Sequence, residues 1–162
     1  MKRQKLVIEA LAKTQEPVEV RFAGLPDFPP YLDELMELTE TLGVADRVKW
    51  LGFVSDEEKR NLFARAKGVI FPPVDEDYGY ITLEAMLASK PVVTVSDAGG
   101  PLEFVINEEN GLVAEPTPES LAEALDQLWG DPSRARLWGE AGRERFDNLG
   151  IYWPKVVERL LE

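Results

Sequence analysis

Short runs of β-branched and other apolar residues alternate along the chain with longer stretches whose apolar positions recur every three or four residues. The short runs are typical of buried strands, and the longer periodicity is typical of amphipathic helices. Because the two patterns alternate, the sequence predicts an α/β fold, a Rossmann-like parallel sheet with helices on both faces. Strands are expected at residues 18–23, 48–51, 68–71, 91–95 and 111–113.

Helices are expected before, between and after these strands, and residues that commonly begin or end a helix mark several of them. Ser55 and Glu58 have the spacing of a capping box. Thr117 and Asp131 each precede a proline, which suits the first position of a helix. Gly43 is expected to end the second helix. The predicted helices cover residues 1–13, 31–42, 81–89 and 101–106, and four more begin after Ser55, Thr117 and Asp131 and at Trp153.

Apolar stripes at helical spacing predict which faces of three helices are buried. Packing of these faces against the sheet would give a hydrophobic core. The stripes are Val7, Ile8 and Leu11 in the first helix, Leu32, Leu35, Leu38 and Leu42 in the second, and Leu62, Phe63 and Ala66 in the helix after Ser55.

Length and composition narrow the chemistry that is open to the chain. Its 162 residues are the size of one domain, which can bury about 68–70% of the surface of its unfolded chain. The absence of cysteine excludes disulfides, thiolate zinc sites and a cysteine nucleophile. Histidine, the commonest general base, is also absent. Catalysis would therefore need carboxylates, lysine, hydroxyls or backbone dipoles, or groups from another domain or chain.

The chain is strongly acidic, with 18 Lys+Arg against 30 Asp+Glu and a formal net charge of -12. Such a surface repels nucleic acid and anionic membranes, so neither is expected as a partner. No apolar run approaches the roughly 18 residues of a transmembrane helix, and no signal peptide is expected. The composition predicts a soluble, cytoplasmic domain.

The segment 71–86 combines three features that suit a nucleotide ligand. Glu76 lies in an acidic loop and Glu84 lies eight positions later in a predicted helix, with Gly79 between them. The free N–H groups of that helix are expected at the carboxyl ends of the strands, where α/β sheets bind ligands. Such groups bind pyrophosphate without a basic side chain, and a carboxylate one turn into the helix can accept hydrogen bonds from ribose hydroxyls.

Each candidate feature also has a purely structural explanation. Residues 75–77 fit a solvated acidic loop before a helix, and the glycine pair at 99–100 fits a plain turn after a strand. Lys2, Arg3 and Lys5 crowd the start of the first helix, where cations oppose the helix dipole. They form either a solvated, frayed terminus or a phosphate site at a helix N-terminus.

From Glu76 to Glu84 the chain resembles the C-terminal, nucleotide-sugar-binding domain of retaining GT-B glycosyltransferases, whose E-x7-E motif corresponds here to E-DYGYITL-E. The similarity continues along essentially the whole chain. Its other segments are KRQKLVIEALAK, VRFAG, DRVKWLGFVSDEE, KPVV, GGPLEFV, NGLVAEPTPESLAEAL and GRERF. The resemblance implies that residues 1–162 form one half of a two-domain GT-B fold, with the first strand and the N-terminal acceptor domain absent.

The resemblance also implies a role for each matching position. Glu84 is expected to bind the ribose hydroxyls, Glu76 to lie near the donor sugar ring and Lys2 to stabilise the leaving diphosphate. No metal or other cofactor is expected, because that lysine, a partner arginine and a helix dipole hold the charge. Backbone groups supply the other donor contacts: Tyr78, Gly79, Tyr80 and Ile81 at the sugar and diphosphate, Phe53 and Val54 at the base, and Gly99 and Gly100 in a glycine–proline–glutamate loop.

The function implied is the donor-binding part of a retaining enzyme that moves a hexose from a nucleoside diphosphate sugar to an acceptor hydroxyl. The partner arginine and the acceptor domain lie outside this chain, so the chain alone is expected to be inactive and to act with its missing N-terminal domain. The expected location is cytoplasmic, or at a membrane through that missing domain. The alternative is a non-catalytic binding or assembly module that acts with a partner chain. A receiver or an epimerase fits poorly, because no acidic cluster opens the chain and no G-x-G-x-x-G follows a strand.

Overall fold

Five strands and seven α-helices alternate in the computed structural model, which describes residues 2–150 and Leu161. Every strand and helix expected before residue 150 is present, whereas the helix expected at Trp153 lies outside the described residues. The strands are β1 (Val20–Ala23), β2 (Val48–Gly52), β3 (Val69–Ile70), β4 (Val92–Val95) and β5 (Gly111–Ala114). The helices are α1 (Gln4–Leu11), α2 (Pro29–Thr41), α3 (Asp56–Arg65), α4 (Tyr80–Leu87), α5 (Pro101–Phe104), α6 (Pro118–Gly130) and α7 (Pro132–Leu149).

All strand pairings in the described chain are parallel, as the alternation of strands and helices predicts. The strands form two ladders, β1–β2 and β3–β4–β5, and no described strand joins β1 to β3. Both ladders contribute to one hydrophobic core, in which Val20 and Val48 of the first are buried together with Val93 and Val95 of the second. The carboxyl ends of β3 and β4 are followed by the loops that carry Glu76 and the glycine pair.

The first helix buries the apolar face that the sequence predicts. Val7, Ile8 and Leu11 are all buried, and α1 packs against α6, whose Leu121 and Leu125 are also buried. Among the described residues, no helix is long and apolar enough to cross a bilayer.

Two of the predicted apolar stripes are buried less completely than expected. Of the four leucines predicted for α2, only Leu35 is fully buried, and Leu42, directly after the helix, keeps 37% of its surface exposed. In α3 no residue is fully buried, and Leu62 and Phe63 are half-buried. Periodicity defines the apolar face of a helix, but the neighbouring elements decide how much of that face is covered.

The predicted capping residues begin and end helices as expected. The Ser55 hydroxyl accepts a hydrogen bond from the Glu58 N–H, and the Glu58 carboxylate accepts one from the Ser55 N–H, which completes the capping box of α3. Thr117 and Asp131 cap α6 and α7 with their side chains. Gly43 follows α2 in the left-handed conformation, with φ of 68°.

Candidate functional site

Two loops that leave the carboxyl ends of β3 and β4 are joined to each other by backbone hydrogen bonds. The Asp75 N–H donates to the Asp97 carbonyl over 3.1 Å, and the Glu76 N–H donates to the Ala98 carbonyl over 2.9 Å. In return, the Gly100 N–H donates to the Glu76 carbonyl over 2.6 Å. The acidic loop and the glycine loop, which the sequence singles out separately, thus form one continuous surface. We call these residues, 75–79 and 97–100, the edge loops.

The glycine pair permits this close approach of the edge loops. Gly99 has φ of 76°, and a Cβ there would lie 2.8 Å from both the N and O atoms of Glu76. A Cβ on Gly100 would lie 2.5 Å from the Asp77 carbonyl oxygen. Neither glycine can therefore be replaced without moving the backbone of the acidic loop. A plain turn, the structural alternative for this pair, does not require such contacts.

Gly79 begins helix α4 in a left-handed conformation, with φ of 60°. It is buried, and a Cβ on it would lie 2.9 Å from Cγ of Pro101 at the start of α5. The first turn of α4, with Tyr80 and Ile81, therefore starts directly at the edge loops. Because the first turn of a helix carries N–H groups without intrahelical partners, it presents hydrogen-bond donors at the carboxyl ends of the strands.

Glu84 lies one turn into α4, and its carboxylate pairs with a lysine that sequence reasoning did not single out. Lys59 Nζ of α3 lies 2.7 Å from Glu84 Oε1, and the two side chains are 37% and 38% exposed. The hydrogen bond to Glu84 raises the pKa of Lys59. Since 25 positions separate the two residues, only the packing of α3 beside α4 brings them together.

Arg3 fastens the N-terminus of α1 to the edge loops. Its guanidinium donates to both Asp97 carboxylate oxygens over 2.5 and 2.7 Å and to the Pro73 carbonyl over 3.3 Å. Arg3 itself has φ of 50° at the N-cap of α1. The frayed terminus that was one interpretation of the basic cluster is therefore wrong for Arg3. Lys2, beside it, is exposed.

The Arg3–Asp97 pair gives a pH-dependent prediction. The hydrogen bonds from Arg3 hold the pKa of Asp97 below its usual range, so the pair stabilises the fold above the unfolded-state pKa of about 3.9 and loses that effect as the pH falls through the folded-state pKa. Asp97→Asn is therefore expected to lower the free energy of unfolding at pH 7 by less than about 1 kcal/mol, since solvent screens the pair, and to lower the melting temperature accordingly. The difference from wild type should shrink below about pH 4.

The control for this prediction is Asp33→Asn, which changes an exposed carboxyl on α2. Melting curves for the three proteins at several pH values provide the measurement. A difference between wild type and Asp97→Asn that widens on acidification would contradict the assignment.

The aromatic candidates lie on the surface at the carboxyl ends of both ladders. Tyr78 and Tyr80 are 65% and 68% exposed, and their rings stack with centroids 5.6 Å apart. Phe53 is 74% exposed and Val54 is half-buried, directly after β2. The structure therefore joins Glu76, Gly79, Gly99 and Gly100 at the second ladder and places Phe53 and Val54 at the end of the first. In the described part of the chain, no three acidic side chains converge where a metal ion could be held.

Comparison with known proteins identifies the family to which this chain belongs. The sequence model of the family described as glycosyl transferases group 1 matches residues 1–145. The chain belongs to this family. Curated relatives of the chain include the alpha-1,3/1,6-mannosyltransferase ALG2 of Dictyostelium discoideum, 32% identical over 131 residues. The alpha-maltose-1-phosphate synthase of Mycolicibacterium smegmatis is 35% identical over 149 residues.

Solved structures of glycosyltransferases share the fold. Anabaena HepE in complex with UDP and glucose superposes with a TM-score of 0.84 at 31% identity, over 98% of this chain and 44% of that one. The sucrose-phosphate synthase of Thermosynechococcus elongatus gives 0.86 at 26% identity, over 96% of this chain and 40% of that one. The predicted family and the α/β fold of a GT-B glycosyltransferase are thereby confirmed.

The matches cover most of this chain but a minor part of its relatives. The aligned residues are 81% of this chain and 31% of the Dictyostelium protein, and 86% of this chain and 38% of the Mycolicibacterium protein. The chain thus spans about three to four tenths of the length of these curated relatives.

Proposed function

We propose that this chain is the donor-binding part of a retaining glycosyltransferase, which moves a hexose from a nucleoside diphosphate sugar to an acceptor hydroxyl. The proposal rests on one observation: backbone hydrogen bonds join the two edge loops at the start of α4, and Glu84 lies one turn further along that helix. Backbone N–H groups and one carboxylate at the carboxyl ends of parallel strands are the groups that bind a diphosphate and a ribose in α/β folds. Membership of the group 1 family supports the same activity.

In this proposal the start of α4 and three charged side chains each bind a different part of the donor. The N–H groups at the start of α4 bind the diphosphate, and Lys2 adds positive charge as the bond to the sugar breaks. Glu84 accepts hydrogen bonds from the ribose hydroxyls, and Glu76 lies at the sugar ring. Developing negative charge on the leaving diphosphate is stabilised most by donors that are already oriented before the reaction. The backbone hydrogen bonds between the edge loops provide that orientation.

The remaining candidates complete the donor site in the same proposal. Backbone groups of Tyr78, Gly79, Tyr80 and Ile81 lie along the sugar and diphosphate, and Phe53 and Val54 face the base. The acceptor is held by a further domain, so the 162-residue chain alone is expected to bind donor without transferring sugar. A cytoplasmic location and a mechanism without a metal belong to the same proposal.

Nucleotide binding to the whole chain tests the proposal. UDP is the probe, since the Anabaena neighbour was solved in complex with UDP. Glu84→Gln is expected to weaken UDP binding by about 1.5–3 kcal/mol, the range for a hydrogen bond to a charged group. Isothermal titration calorimetry measures the dissociation constant of each protein.

Glu37→Gln, which alters an exposed carboxylate on α2, serves as the matched control and should leave the affinity unchanged. Equal UDP affinity of wild type and Glu84→Gln would contradict the role of Glu84. If the wild-type chain bound none of UDP, GDP and ADP, the alternative of a non-catalytic assembly module would be favoured instead.

A further inference from the structure

We propose that Lys59 is a positioning residue for the nucleotide site: it holds one oxygen of the Glu84 carboxylate and leaves the other to accept the ribose hydroxyls. The inference rests on the proposed function, because it concerns the same site. It adds a residue from α3 to the ribose-binding part of the site, whose carboxylate comes from α4.

The backbone of Lys59 is fixed by the capping box at the start of α3. The Lys59 N–H donates to the Ser55 carbonyl over 2.8 Å, directly beside the reciprocal bonds between Ser55 and Glu58. The lysine therefore projects from an ordered first turn. That turn follows Phe53 and Val54 at the end of β2, so α3 links the proposed base contacts to the proposed ribose contact.

Glu84 is held on the other side by the packing of α4. The next two residues, Ala85 and Met86, are fully buried in the core, which fixes the helix at this position. The side chain of Glu84 itself is 38% exposed and is free to rotate unless something holds its end. Lys59 Nζ, 2.7 Å from Oε1, supplies that hold.

In the described part of the chain, the Glu84 carboxylate keeps acceptor positions that a ligand can use. Within the described part of the chain, Glu84 Oε1 has Lys59 as its side-chain donor, whereas Oε2 has none. An ionised carboxylate offers about four acceptor positions on its two oxygens. One ammonium therefore occupies a minority of them, and the remaining positions can serve two adjacent hydroxyls.

Stability alone does not account for this pair. Ion pairs between side chains as exposed as these contribute little to folding, because water screens the charges. The ion pair matters more for orienting the Glu84 carboxylate before the ligand binds than for folding. Binding to a side chain that is already ordered does not include the entropy cost of ordering it. The effect of Lys59 should therefore appear in ribose recognition and not in the melting temperature.

The test compares UDP with 2′,3′-dideoxy-UDP, which lacks both ribose hydroxyls, using calorimetry on the whole chain. Lys59→Met is expected to weaken UDP binding by about threefold to tenfold, the scale set by immobilising one long side chain. Binding of the dideoxy nucleotide should stay within about twofold of wild type, because that ligand makes no use of Glu84. Lys59→Arg should restore most of the preference for UDP, since the guanidinium can also hold a carboxylate oxygen.

Arg60→Met, the same charge change at the next and exposed position of α3, is the matched control and should leave both affinities unchanged. An equal loss for both nucleotides in Lys59→Met would show that the lysine acts on the diphosphate, and would overturn the inference. The inference would also be overturned if Lys59→Met kept the wild-type preference for UDP over the dideoxy nucleotide while Glu84→Gln abolished that preference. The proposed function would stand in that case. If wild type bound neither nucleotide, both would fail together.

Discussion

Gly139→Ala is expected to destabilise the fold by about 1–3 kcal/mol, the usual cost of forcing a methyl group into a packed contact. A Cβ at Gly139 would lie 2.1 Å from the carbonyl oxygen of Ser89 and 2.7 Å from its carbonyl carbon. Both are backbone atoms in the segment between α4 and β4, so a change of side-chain rotamer cannot relieve the clash. Helix α7 would have to move away from α4, the helix that carries Glu84.

Gly142→Ala is the matched control for this prediction, because Gly142 is also buried on α7. A Cβ there would make ordinary contacts, 3.4 Å from Cγ of Met86 and 3.8 Å from Cβ of Asn110. Removing glycine from a helix interior should then stabilise the protein by up to about 1 kcal/mol. Thermal unfolding distinguishes the two, at about 2–4 °C per kcal/mol for a chain of this length. Equal melting temperatures would show that α7 does not depend on the contact at Ser89.

Gly100→Ala is expected to weaken UDP binding by about 10- to 100-fold, the scale of losing one hydrogen bond to a charged group. Gly100 has φ of −46° and ψ of −38°, a conformation that alanine adopts readily. Any effect therefore comes from its new methyl group, which would lie 2.5 Å from the Asp77 oxygen and 2.8 Å from the Glu76 oxygen. The edge loops would have to separate, and the start of α4 would move with them.

Calorimetry with UDP and a melting curve on the same protein separate loss of the site from loss of the fold. Gly142→Ala, far along α7, controls for a general effect of replacing glycine. Unchanged UDP affinity in Gly100→Ala would show that binding does not depend on the close approach of the two loops. That result would also remove the main support for a donor site at this place.

Local sequence signals predicted the elements of the fold well, because each signal acts within a few residues. The capping box at Ser55 and the helix end at Gly43 are both decided by hydrogen bonds or dihedral angles inside one turn. The exposure of Leu42 was not predicted, since the apolar period of a helix says nothing about which neighbour covers its last turn.

The sequence indicated individual residues of the candidate site but not the contacts that they make with distant segments. Glu76, Gly79 and Glu84 were singled out from one short segment. Their partners come from distant segments: Lys59 is 25 positions from Glu84, and Arg3 is 94 positions from Asp97. Such pairings depend on strand order and helix packing. Charge in the sequence was the available signal for both cations, and it could not say which carboxylate each would meet.

The backbone hydrogen bonds between the edge loops have a consequence for how this domain can be redesigned. The bonds join backbone N–H and carbonyl groups of residues 75 and 76 to those of residues 97, 98 and 100, so they do not involve the side chains at positions 76–78. A combinatorial library that varies Asp77 and Tyr78 would keep the scaffold if it retained the three edge-loop glycines and Asp75, whose φ of 45° disfavours most other side chains. If the proposed donor site is right, substitutions at these two positions would change the surface beside the sugar while the backbone contacts that hold the loop stay in place.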